Sequence, residues 1–212
     1  VSNYDEAGYL PEAMNNYLAR LGWSHGDDEI FSLEQMVQWF DGTHLSKSPA
    51  QWDAAKLLWV NAQHLKALPD AQLAERVLPH LQAALPGVVV DERLPAICGL
   101  FKDRCDTLVA LARWIAAFYG DVQPSEADLA QHLTPAVRPA LQTLAERLAQ
   151  GEWSAAAISA VFKQVLAEHG LKMPQLAMPV RVLVMGTAQT PSVDQVLFLC
   201  GREKVLARLA KA

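Results

Sequence analysis

GYLPEAMNNYLARLGWSHGD, Gly8 to Asp27, is the stretch that decides how the rest of this chain is read. It has a built start and a built stop. Pro11 suits a first helical turn, where its missing N–H costs nothing, and Gly22 suits the position just past a helix end. Leu10, Met14, Tyr17, Leu18 and Leu21 recur at helical spacing and predict one buried face. Trp23-Ser24-His25-Gly26-Asp27 then reads as a polar loop with an aromatic anchor.

Outward from there the same grammar repeats. Ser32 followed by Gln35 is a capping-box pattern that opens a helix through Phe40. Asp53 caps the next, which carries Leu57, Leu58, Leu65 and Leu68 and stops at Pro69. Asp70 opens another, closed by Pro86-Gly87. Further helices are predicted over about 91–105, 107–119, 126–132, 135–149, 155–169, 193–200 and 202–211. Ser125, Ser154 and Ser192 stand at their starts, and Gly120, Gly151, Gly170 and Gly201 at their ends. Val180–Met185 reads two ways: its β-branched content suggests a strand, while Pro179 allows a helix start. Leu68-Pro69-Asp70 and Gln150-Gly151-Glu152 break the composition and predict boundaries. The fold class is mainly α, in consecutive small modules.

The 212 residues are 51% hydrophobic and 19% charged, which supports a real core and excludes disorder. No apolar run reaches the roughly 18 residues that span a bilayer; Ala110–Tyr119 and Val180–Met185 are too short. The opening residues, Val1-Ser2-Asn3-Tyr4-Asp5-Glu6, are polar and acidic, unlike a signal peptide, and the missing initiator methionine reads as a processed or partial chain. Three cysteines, Cys98, Cys105 and Cys200, form no CxxC pair, and the six histidines lack metal-ligand spacing. A reduced cytoplasmic protein with no structural zinc is expected. The net charge of −5 argues against a broad basic face and hence against non-specific nucleic-acid binding, DNA included, while leaving room for a localised basic patch.

Three blocks together resemble one family, the bacterial glutamyl-tRNA synthetases of class I. The first is Gly8–Asp27, which is similar to the segment that follows the catalytic loop. The second is LSKSPAQWDAAKLLWVNAQHL, Leu45–Leu65, with Trp52, His64 and Leu65 as departures. The third is MPVRVLVMGTAQTPSVDQVLFLCGREKVLARL, Met178–Leu209, where Met185 stands in place of the usual threonine. Ser46-Lys47-Ser48 mimics the end of the "KMSKS" loop, but the second block places it in a linker into the Asp53 helix. The true loop and the "HIGH" motif belong upstream of Val1, and no Gly-rich loop follows a strand. The resemblance therefore implies the C-terminal part only: a stem-contact-like module over 1–68, with room for a short strand pair, then an all-helical anticodon-binding domain in two parts, 69–150 and 151–212. It implies a parent that joins L-glutamate to tRNA(Glu) with ATP and Mg in a catalytic domain this chain lacks. The chain itself is expected to be inactive alone, monomeric, without a cofactor, metal or catalytic residue of its own, and partnered by tRNA(Glu) and the parent catalytic domain.

The resemblance also implies site residues. Arg104 matches the arginine that reads the third anticodon base and favours C over G. Arginine suits this task because its planar fork can stack and donate two bonds to one base. Arg181 matches another arginine facing the anticodon, and Thr190, Pro191 and Val193 match the loop beside it. Lys56 and Asn61 match positions that touch the inner corner of the tRNA, where a lysine would position a phosphate without specifying sequence. From Lys172 onward six cations (Lys172, Arg181, Arg202, Lys204, Arg208, Lys211) face two acids (Asp194, Glu203), a local excess of +4. The tryptophans are expected in the core. The rival reading is a helical protein-interaction module, against which Arg104, Arg181 and Thr190-Pro191 should share one exposed face. A cysteine hydrolase is the second rival, and nothing around Cys98 or Cys105 activates a thiol.

Overall fold

The computed structural model describes residues 2–212. Among them the chain forms thirteen α-helices and one 3-10 turn. Its extended pairings are two isolated antiparallel bridges, Trp23 with Leu45 and His25 with Asp28, where a short strand pair had room. Two compact units are present, residues 1–116 and 117–212. The division falls inside a helix, whereas the composition breaks lie at Leu68-Pro69 and Gln150-Gly151. Packing explains this, because elements on the two sides of each break associate with one another.

The first unit holds α1 (Ser2–Glu6), α2 (Pro11–Gly22), α3 (Leu33–Trp39), α4 (Ala54–Ala67), α5 (Asp70–Ala84), α6 (Leu94–Phe101), the 3-10 turn Lys102–Arg104, and most of α7 (Leu108–Tyr119). The capping box at Ser32 forms in both directions: Gln35 N–H donates to Ser32 Oγ at 3.1 Å and Ser32 N–H to Gln35 Oε1 at 2.9 Å. Asp53 caps α4 by accepting from Lys56 N–H at 3.0 Å. The buried face of α2 differs from the predicted one. Leu10, Ala13, Asn16 and Tyr17 are buried, while Leu18 is 50% exposed. A buried asparagine is the reason the apolar spacing misled.

The second unit holds α8 (Glu126–His132), α9 (Arg138–Leu148), α10 (Ala155–His169), α11 (Met173–Met185), α12 (Val193–Cys200) and α13 (Arg202–Leu209). Helix α11 settles the ambiguous stretch as helix, with Pro179 inside it rather than at its start. It is the hub of this unit, touching α8, α9, α10, α12 and α13. Leu176, Ala177, Pro179, Val180 and Val182–Met185 are all buried. Only Met173–Gln175 are exposed and Met178 and Arg181 half-buried, so the polar stripe is too narrow to give the sequence a clear helical period, and packing overrides its β-branched content. Ser125 and Ser154 accept capping bonds from Asp128 N–H and Ala157 N–H, but Ser192 caps α12 with no side-chain bond.

Tryptophan placement also departs from expectation. Trp23 is buried, but Trp52 and Trp59 are 45% and 40% exposed. Trp52 rests edge-on against Tyr17, and Trp59 lies under the Lys56 ammonium, 4.1 Å from its ring centroid. An aromatic with one such partner can stay at the surface.

Candidate nucleic-acid interface

Arg104 is exposed on the 3-10 turn, in the first unit. The predicted continuous helix over 91–105 thus ends at Phe101 and tightens for its last three residues. The turn is pinned on both sides, by Phe101 at 0% exposure and by Cys105 at 3%. Beside it, Lys102 Nζ donates to Leu68 O at 3.1 Å and lies 2.9 Å from Asp70 Oδ1. The result is an exposed guanidinium on a fixed base.

In the second unit the structure brings Arg181, Thr190 and Pro191 together. Arg181, half-buried on α11, donates from Nη2 to Pro191 O at 3.4 Å, and Thr190 Oγ1 donates to the same carbonyl at 2.8 Å. Thr190 is only 6% exposed and Val193 7%, and Pro191 is buried. The exposed residues of this loop are Gln189 and Ser192; the sequence pointed to Ser192 only as a helix start and to Gln189 not at all. An exposed shared face for Thr190 and Pro191 is therefore not what this unit presents: they shape the loop.

Lys56 lies in the first unit, its Nζ 2.7 Å from Glu29 Oε1, an oxygen that Arg20 Nη1 also reaches at 2.8 Å. Hydrogen bonds from Lys56 and then Arg20 hold the Glu29 carboxyl below the usual carboxylate range. Both cations border a cavity of about 170 Å³ lined by Tyr17, Arg20, Gln51, Asp53 and Lys56, where the Glu29 and Asp53 carboxylates balance their charge. Asn61 is different. It is 0% exposed; its amide donates to Asp106 O at 2.6 Å and Gly8 O at 3.4 Å and accepts from Leu10 N–H at 2.8 Å. In this structure its side chain is enclosed by those three backbone groups.

The cationic excess after Lys172 is mostly internal. Arg208, 5% exposed, donates to Val184 O and Gly120 O, each at 2.6 Å. Lys204 Nζ donates to Phe118 O at 2.9 Å, and Arg202 donates to Gly151 O. These carbonyls lie at or near helix C-termini, where the backbone dipole favours cations. Only Lys172 and Lys211 are fully exposed.

Burial pushes the thiols of Cys98 and Cys105 up to about 12, with Asp70 and Asp106 respectively adding to it, so neither is a nucleophile at neutral pH. Among the described residues no group of three or more His, Cys, Asp or Glu could hold a metal ion. Nor is any described helix long and apolar enough to cross a membrane.

His64, one of the departures in the second block, is half-buried, with Nε2 2.7 Å from the Asn16 oxygen. Burial lowers its pKa, against an opposing pull from Glu12, which Arg76 pairs. A histidine whose folded pKa is depressed binds its proton more readily when unfolded, so stability falls as pH drops below the ordinary value of about 6.5. Urea midpoints should decline over that window in the native chain and flatten in His64→Gln; parallel curves would remove His64 as the cause.

Residues 72–212 match the family model described as the anticodon binding domain. The chain belongs to that family. Residues 1–59 match the model for the catalytic domain of class I tRNA synthetases (E and Q), of which they form a small part. The chain is 63% identical over 214 residues to the glutamate–tRNA ligase of Paracidovorax citrulli, covering 100% of this chain and 45% of that protein. It is 58% identical over 210 residues to the same enzyme of Bordetella parapertussis, covering 99% and 44%. It thus spans about half the length of these curated relatives. A solved glutamate tRNA ligase from Elizabethkingia meningosepticum, in complex with its amino acid, superposes with a TM-score of 0.89 at 28% identity, over 98% of this chain and 42% of that one. As the resemblance implied, this is a helical chain that carries an anticodon binding domain and is similar to part of the glutamate–tRNA ligases.

Proposed function

We propose that this chain is the tRNA-docking and anticodon-reading region of a glutamate–tRNA ligase, whose whole protein attaches L-glutamate to tRNA(Glu) using ATP. The observation that carries this reading is the match of residues 72–212 to the anticodon binding domain. Its partners are tRNA(Glu) and the parent's catalytic domain; ATP and magnesium act in that domain. The parent is a cytoplasmic monomer, and the region affects catalysis by positioning the tRNA. Its organisation as a stem-contact module over 1–68 and two anticodon-binding parts, 69–150 and 151–212, belongs to the same proposal.

Arg104 reads the third anticodon base, supported by its exposure on an anchored turn. Arg181 faces the anticodon from the rim of the Thr190–Val193 loop, which Thr190, Pro191 and Val193 hold in shape. Lys56 contacts a phosphate of the stem. Arg104→Ala should cost about 2 kcal/mol in binding a tRNA with C at that position, and should shrink the preference for C over G. Competition binding against a tRNA with the third anticodon base changed is the measurement; undiminished discrimination removes the assignment. Glutamate tRNA should also bind the chain better than an anticodon-swapped version, with marked salt dependence.

A further inference from the structure

A three-residue turn has little rigidity of its own, so the aim of Arg104 depends on what holds its flanks. The upstream flank is Lys102 on Leu68 O and Asp70. Asp70 comes this close because residue 99 is glycine: a Cβ there would lie 2.3 Å from its carboxylate. The downstream flank is Asp106 O, and its partner is the buried Asn61 amide of α4.

That one amide also binds Gly8 O and Leu10 N–H. The two segments it joins meet directly as well, through Leu108 N–H donating to Gly8 O at 3.0 Å. At Gly8 the approach leaves no space for a side chain, since a Cβ would sit 2.6 Å from the Val109 nitrogen and 2.9 Å from that of Leu108. Gly8 and Leu10 lie within the stretch that matches the catalytic domain, while Asp106 follows Arg104 by two residues.

We infer that Asn61 is a positioning residue that sets the Arg104 turn in register with the Gly8–Leu10 segment, and through it with the catalytic side of the protein. The inference rests on the reading of Arg104 as the base reader. An asparagine amide offers two donor hydrogens and an acceptor on a short stem, and here all these functions serve backbone groups of the two segments. A side chain lacking either function leaves a buried backbone group without its partner and frees the turn from α4. Asn61 touches no tRNA; it acts through Arg104.

The test uses the full-length protein and aminoacylation of glutamate tRNA carrying C or G at the third anticodon position. The readout is the ratio of the two kcat/KM values, which within one preparation does not depend on the fraction of active enzyme. Asn61→Ala should lower this ratio about tenfold, the scale of a modest misplacement of a contact group. In the Arg104→Ala background the same change should lower it no further, because the two act as a unit. An unchanged ratio with a lowered melting temperature, or losses that add in the double variant, would overturn the role of Asn61. An unchanged ratio in Arg104→Ala alone would overturn the reading of Arg104, and this inference with it. Should Asn61→Ala yield no folded protein, Asn61→Ser takes its place, because one hydroxyl on a shorter stem has a single donor hydrogen and does not serve all three backbone groups. A lowered ratio in that variant supports the role of Asn61, and an unchanged one overturns it.

Discussion

Gly8→Ala should destabilise the first unit by about 4 kcal/mol, more than any other single-methyl addition in the chain. Two costs combine. Gly8 sits at φ +88, where an L side chain is strained by about 1–2 kcal/mol. The new Cβ would also overlap two backbone nitrogens, at 2.6 and 2.9 Å, and backbone cannot swing aside as a side chain can. Relief requires Gly8 to retreat from Leu108, which breaks the 3.0 Å bond between them and draws Gly8 O away from Asn61. Gly87→Ala separates the two costs, because Gly87 has φ +80 and nothing within 4 Å. It should lose about 1 kcal/mol, the strain alone. Chemical denaturation followed by tryptophan fluorescence measures both, and equal losses would show that the close approach carries no cost.

Arg208→Met should destabilise the second unit by about 3 kcal/mol, since methionine fills the space but leaves two buried carbonyls without their charged donor. Those carbonyls, Val184 O near the end of α11 and Gly120 O just past α7, come from stretches far apart in sequence. The guanidinium serves both because its fork donates in two directions; burial lowers its pKa, opposed by Cys200 and Asp121. Arg208→Lys should recover less than half of the loss, because a single ammonium on a flexible stem does not reproduce the fork. Lys211→Met, at an exposed position, should change stability by under about 0.5 kcal/mol. A comparable loss at Lys211 would mean that general charge, rather than the two carbonyls, governs this end of the chain.

The sequence and the structure agree most closely where the controlling forces are local. Capping by Ser32, Asp53, Ser125 and Ser154 depends on residues three apart, and each forms as its spacing predicts. The helices over 126–132, 155–169 and 193–200 keep their predicted bounds. Agreement weakens where burial is decided by distant chain. Leu18 has the spacing of a core residue and is half exposed, because Asn16 takes the inner face to hold Glu29 O and Phe31 N–H. Helix α11 carries no clear periodicity to read, because five other helices cover it.

For the candidate site the contrast is sharper. Sequence alone determined the family and the helical class, because these are carried by residue identity in order along the chain. Tertiary structure decided what each residue does. It left Arg104 exposed on an anchored turn, buried Thr190 and Val193 inside the loop they shape, and turned three of the six C-terminal cations onto helix ends. It also placed Asn61 at a junction of backbone groups. The physical reason is that a side chain's type fixes which bonds it can make, whereas its partners are set by segments up to 88 residues away, as for Arg208 and Gly120, that only the folded chain brings within hydrogen-bonding reach.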